Sequence, residues 1–225
     1  MASKTLLNYF GQLRLYSFLD LVIFATALTS NLNSILGISF LWLSFLFYLE
    51  SRHNDELRLK VHNHLWLIPF ALSLFLIPVW FCVGFALFSY LYTEKKKNKF
   101  FGITAPLWRA LQNVIIAFGF KSQIALLIFV LIFIRNLIAD FRDVHDDKQR
   151  NIQTIPVLLG LMENQAWAFY VHIFLVIGNT LVWFHYSFLD IRFLLPIIIL
   201  QLISYPLTPR LSNPRRLDIY NLRNY

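Results

Sequence analysis

The stretch His64–Tyr92 contains no Asp, Glu, Lys or Arg. In water such a run would have to be buried all round, whereas a bilayer accepts it directly. A helix needs about 20 apolar residues to cross the hydrocarbon layer. Further apolar stretches lie at Tyr16–Thr29, Ile35–Tyr48, Thr104–Phe120, Ile124–Ala139, Gln165–Phe184 and Phe193–Tyr205. Composition points the same way. Hydrophobic residues make up 58% of the chain and charged residues 14%, against about 25% charged in a typical soluble domain. This excludes a soluble enzyme, a disordered chain and a secreted disulfide scaffold. The single cysteine, Cys82, has no internal partner for a disulfide. Met1–Gly11 is polar-mixed, and no cleavable signal peptide is expected.

His64–Tyr92 holds Pro69 and Pro78. It reads either as one kinked helix or as two short helices breaking near Pro78. Charge placement chooses between them. If the stretch crosses twice, residues 50–63, 93–103 and 140–163 and both ends of the chain share one side. Every Lys and Arg except Lys121 and Arg192 then lies on or next to that side, as the positive-inside rule expects. The reading is an all-α, multi-pass bundle of about eight spans, with both termini cytoplasmic. The net charge of +8 reports cytoplasmic loops, so no nucleic-acid partner is expected. Residues 1–205 read as one transmembrane domain and 206–225 as a basic cytoplasmic tail.

The polar chemistry gathers at that side. Arg135-Asn136-Leu137-Ile138-Ala139-Asp140-Phe141-Arg142-Asp143-Val144-His145-Asp146-Asp147 directly ends an apolar stretch. On a helix Asp143 lies about 60°, and Asp147 about 20°, from Asp140, so the three carboxylates share a face. They repel one another and oppose the helix dipole. Such a conflict is expected where a ligand supplies the missing term, and carboxylates so spaced suit Mg²⁺ completed by substrate phosphates. The other reading is a solvated acidic loop neutralised by Arg142, Lys148 and Arg150. A second cluster, Glu50-Ser51-Arg52-His53-Asn54-Asp55-Glu56-Leu57-Arg58, ends on the same side by the same topology. Two acidic helix ends facing each other could hold a diphosphate through metal ions. Asp20, inside the first span, is either a paired structural acid or a cavity residue. His62 and His64 flank Asn63 and read as interfacial.

Asp140-x-x-Asp143-x-x-x-Asp147 followed by Thr154-Ile155-Pro156-Val157-Leu158-Leu159-Gly160 resembles the second aspartate-rich motif of the UbiA superfamily of intramembrane prenyltransferases. That family usually has Gly where this chain has Asn151, a mild change because Asn tolerates left-handed backbone. Arg52, Asp55, Glu56 and Arg58 match the first motif of one branch of the superfamily. Leu59 and Asn63 then stand where later Asp residues would be. Leu59 cannot ligate a metal, and Asn63 offers only a neutral oxygen. Leu13-Arg14, Leu91-Tyr92 with the following lysines, and Asn113 are looser likenesses in the same order.

The resemblance implies helices around an apolar cavity open at the cytoplasmic side. It implies an isoprenyl diphosphate substrate, Mg²⁺ as cofactor, the bilayer as environment and a lipophilic or aromatic acceptor. Asp140, Asp143 and Asp147 would hold one metal, and Asp55 with Glu56 and Asn63 a second. Arg52, Arg58, Lys148 and Arg150 would meet the diphosphate, and Asn113 a phosphate or the acceptor. Trp108, Tyr92 and Tyr170 are candidate cation-stabilising rings. Three functions stay open: transfer to an acceptor, cyclisation without one as in the superfamily's membrane terpene cyclases, or binding without catalysis.

Overall fold

A computed structural model describes residues 14–52, 61–96, 98–161 and 165–212, and the described residues are helical with no strand among them. The chain divides into two compact units, residues 1–77 with 180–225, and residues 78–179. Three helical segments, Leu32–Ser51, Ser122–Arg142 and Trp167–Tyr186, are long and apolar enough to cross a membrane. This suggests a multi-pass membrane protein.

The first unit holds α1 (Leu15–Leu28), α2 (Leu32–Ser51) and α3 (Leu67–Leu76). Asn31 starts α2 by accepting a hydrogen bond at Oδ1 from the Ser34 amide at 3.2 Å, one of the donors a helix start leaves unpaired. Ile77 is extended and Pro78 follows it at φ −56°, ψ 134°, so the helical run stops there. The second unit then begins with α4 (Val79–Thr93), followed by α5 (Lys99–Ile103), α6 (Ala105–Phe120), α7 (Ala125–Arg142), α8 (Val144–Gln149) and α9 (Ile155–Leu158). The division between units falls inside α10 (Gln165–Tyr186), and α11 (Leu194–Ser212) returns to the first unit.

In the first unit α1 packs against α2 and α11, and α2 against α3. Its core includes Ile23, Phe24, Ile38, Leu41, Trp183 and Tyr205. In the second unit α6 packs against both α4 and α7, around Phe85, Ile116 and Ile128. A buried polar pair crosses that packing, with the Gln112 Nε2 donating to Ser89 Oγ.

The span count needs correction. The break at Pro78 is where the sequence places it, but α3 has 10 residues and α4 has 15. At 1.5 Å per residue these are about 15 and 22 Å long, short of the roughly 30 Å of hydrocarbon. Helices α1 and α6, of 14 and 16 residues, are short as well. Among the described residues three helices, not eight, meet the length and apolarity of a span.

Candidate functional site: an acidic helix end beside a half-buried lysine

Helix α7 carries Asp140 to its last turn, where the carboxyl is buried. The continuous helix expected through residue 147 is not formed. Asp143 caps α7 at φ −98°, ψ 8°, and α8 starts anew at Val144. The three carboxylates therefore do not follow one unbroken 100° spiral. Asp143 is turned to its neighbour, with Arg142 Nε donating to Oδ1 at 2.9 Å and Nη2 to Oδ2 at 3.1 Å. Asp147 lies on α8 and is buried.

The chain then makes two helix stops of the same kind. The Ile152 amide donates to the Asp147 carbonyl at 2.8 Å, and the Asn151 amide to the Lys148 carbonyl at 3.1 Å. Asn151 sits at φ 56°. The Leu161 amide donates to the Pro156 carbonyl at 3.1 Å and the Gly160 amide to Val157 at 3.2 Å, with Gly160 at φ 60°. Both are the paired hydrogen bonds of a helix end closed by a left-handed residue. Between them Thr154 is buried, and its Oγ1 has no hydrogen-bond partner.

Gly102 on α5 joins this segment to the one after α4. A methyl group at Gly102 would lie 3.0 Å from the Gln153 carbonyl carbon and closer still to its oxygen. Only glycine lets the two backbones meet. Just before α5, a short 3₁₀ turn at Glu94–Lys96 carries Lys95. Its Nζ lies 3.5 Å from Asp140 Oδ1. Burial alone would push the Lys95 ammonium down, but Tyr92, Asp140, Asp147 and Asp143 together hold it above its ordinary value. A lysine thus stands in the field of all three carboxylates. Two cations lie over the Tyr92 ring, Lys95 Nζ at 5.4 Å and the Arg109 guanidinium carbon at 5.7 Å from its centroid.

Asp140 Oδ2 is buried and has no hydrogen-bond partner. A buried carboxylate oxygen is strongly disfavoured unless something positive or hydrogen-bearing meets it. Among the described residues no three His, Cys, Asp or Glu form a group that could hold a metal ion. Mg²⁺ takes one or two carboxylates where phosphate oxygens complete its shell, and Asp140 and Asp147 are two buried carboxyl groups. They do not form a closed protein cage.

The other expected residues are distributed as follows. Lys148 and Arg150 are exposed, one on α8 and one just after it. Asn113 is buried, and its Nδ2 is committed to the Arg109 carbonyl at 2.9 Å. Trp108 is half-buried with Nε1 donating to Thr104 Oγ1 at 2.7 Å, and Tyr170 is exposed. Arg52 and Asn63 belong to the first unit. Arg52 Nη1 donates to the Tyr48 hydroxyl at 2.6 Å, and Asn63 is exposed. Asp55, Glu56, Arg58 and Leu59 lie outside the described residues, as do residues 213–225 of the expected tail.

Sequence reasoning missed Lys95, grouping it with the positive-inside charges. The signal was available: it is the first cation after the apolar run and falls on the same side as Asp140. Arg135, buried inside a candidate span, deserved the same notice, because ionisable groups at membrane depth are by default functional candidates. No protein family, curated protein or solved structure matches this chain.

Proposed function

We propose that the protein is a Mg²⁺-dependent enzyme of UbiA type, transferring an isoprenyl group from its diphosphate to a lipophilic or aromatic acceptor. The observation that carries this reading is the buried, singly paired carboxylate of Asp140 at the end of a candidate membrane helix, with Lys95 and two further acids around it. An ordinary solvated acidic loop has no reason to bury a carboxylate oxygen without a partner.

In this reading Asp140 and Asp147 would hold Mg²⁺, which when bound offsets negative charge on the departing diphosphate. Lys95 and Arg109, both over the Tyr92 ring, bind phosphate oxygens. Lys95, held protonated by the acids around it, keeps its three donors at neutral pH. Arg142 keeps Asp143 neutralised and away from the anionic substrate. The allylic carbon–oxygen bond breaks, pyrophosphate leaves, and the acceptor forms the new bond and loses its proton. The Tyr92 and Trp108 faces suit a passing allylic cation. The charge distribution supports a cytoplasmic site with both termini on that side. That orientation needs an even number of crossings, so at least one of the shorter helices completes a crossing beside the three long ones.

One observation favours a second reading, binding without catalysis: Lys95 and Arg142 already neutralise Asp140 and Asp143. The test is incubation of purified protein and Mg²⁺ with geranyl, farnesyl and geranylgeranyl diphosphate, with and without a phenolic acceptor. Transfer gives a prenylated acceptor, cyclisation gives a cyclic hydrocarbon without one, and absence of pyrophosphate under every condition rejects catalysis.

A further inference from the structure

The first unit carries a polar cluster that the site above does not use. Thr180 on α10 donates from Oγ1 to Gln201 Oε1 on α11 at 2.9 Å, and both residues are buried. Gln201 Nε2 has no hydrogen-bond partner, and neither has Trp183 Nε1, although the two residues are 1% and 0% exposed. Trp183 lies three residues after Thr180, so the two share a face of α10.

Ring contacts fix what α1 brings to the same place. Tyr16 meets Tyr205 at 4.7 Å between centroids, and Phe24 meets Trp183 at 5.2 Å. From Thr180 and Gln201, Trp183 lies three residues toward the connection of α10 and α11, and Tyr205 lies four residues away from it. The two marks are about 10 Å apart along the axes at 1.5 Å per residue. Tyr16 to Phe24 spans about 12 Å on the same measure. Asp20 stands midway, four residues from each of Tyr16 and Phe24 and so on the face of α1 that they define. It is buried, at the level of Thr180 and Gln201.

The level therefore offers two donor nitrogens, Gln201 Nε2 and Trp183 Nε1, and one carboxyl acceptor oxygen, Asp20 Oδ1. A hydroxyl group is the complement, with one O–H donor and two acceptor lone pairs. Its surroundings are Tyr16, Phe24, Trp183 and Tyr205, so the rest of the ligand is apolar. We propose that Asp20, Trp183 and Gln201 form a site for the hydroxyl of a membrane-soluble alcohol or phenol. This goes beyond the diphosphate reading and does not depend on it.

The test measures thermal unfolding of the detergent-solubilised protein with farnesol, farnesyl methyl ether and the matching hydrocarbon. Farnesol is expected to raise Tm in a saturable way. The methyl ether, which cannot donate to Asp20, is expected to act weakly and the hydrocarbon not at all. Gln201→Leu and Trp183→Phe should each weaken farnesol binding about tenfold, the order expected for one lost hydrogen bond. Two variants guard against one failing to fold. Asp140→Asn, which under the proposed function stops pyrophosphate release, should bind farnesol unchanged. An equal response to the hydrocarbon, unchanged affinity in both folded variants, or no farnesol response in wild type (a site that holds only water) would overturn the proposal.

Discussion

Lys95 and Asp140 set the residue scale. Their side chains are 16% and 8% exposed, so removing one partner strands a partly desolvated charge. Lys95→Met should destabilise the folded protein by about 2–3 kcal/mol, below the penalty of a fully sealed pair because the ammonium keeps some solvent. Adding Asp140→Leu should recover most of that loss, read as a double-mutant cycle in thermal unfolding. The pH dependence has a definite sign. Lys95 is raised in the folded state above its ordinary 10.5. Its contribution is therefore fully present below about 10.5 and is lost only as pH climbs through the folded value. The penalty of Lys95→Met should not shrink between pH 6 and pH 9, and a penalty that shrinks across that window contradicts the assigned charge state. Gly102→Ala belongs here too. The Gln153 carbonyl is backbone and cannot swing aside, so about 1–3 kcal/mol of destabilisation is expected, the range for overpacking. A neutral Gly102→Ala in the same unfolding assay would mean that the two backbones do not touch.

Among the elements, the two helix stops at Asn151 and Gly160 shape the segment beyond Asp147. Asn151→Gly should be neutral or slightly stabilising. Asn151→Val should lose about 1–2 kcal/mol, since a β-branched side chain resists φ 56°. Equal stability of the two variants would place the backbone elsewhere. This feature was legible beforehand, because Asn is among the few residues that enter left-handed backbone without glycine's freedom. The break at Pro78 was legible for a similar local reason. The interruption at Asp143 was not. Nothing in Arg142-Asp143-Val144 announces a helix end, and the Arg142 fork that holds Asp143 acts only once the chain has turned. Lys95 escaped notice because its partner lies far along the sequence, and a charge rule counts sides without naming pairs. Gly102 was silent too, since a lone glycine does not say which backbone will approach it.

For the whole molecule, hydropathy and charge pointed to an all-helical membrane protein, which three long apolar helices among the described residues also suggest, but they overcounted its spans. An apolar stretch does not reveal how many of its residues the helix will use, and α3 and α4 use too few. The proposed function rests instead on local chemistry: the buried Asp140 Oδ2 without a hydrogen-bond partner is proposed to meet a cation, and Lys95 and Arg109 are proposed to meet an anion. The most direct measurement is Mg²⁺-dependent pyrophosphate release from farnesyl diphosphate by wild type and by Asp140→Asn, both checked for folding by thermal unfolding. The account predicts release by wild type that a chelator stops and Mg²⁺ restores, and at least a hundredfold loss in Asp140→Asn, about the 2.7 kcal/mol of one lost transition-state contact. Turnover in folded Asp140→Asn close to that of wild type, or no release by wild type with any isoprenyl diphosphate, would contradict it.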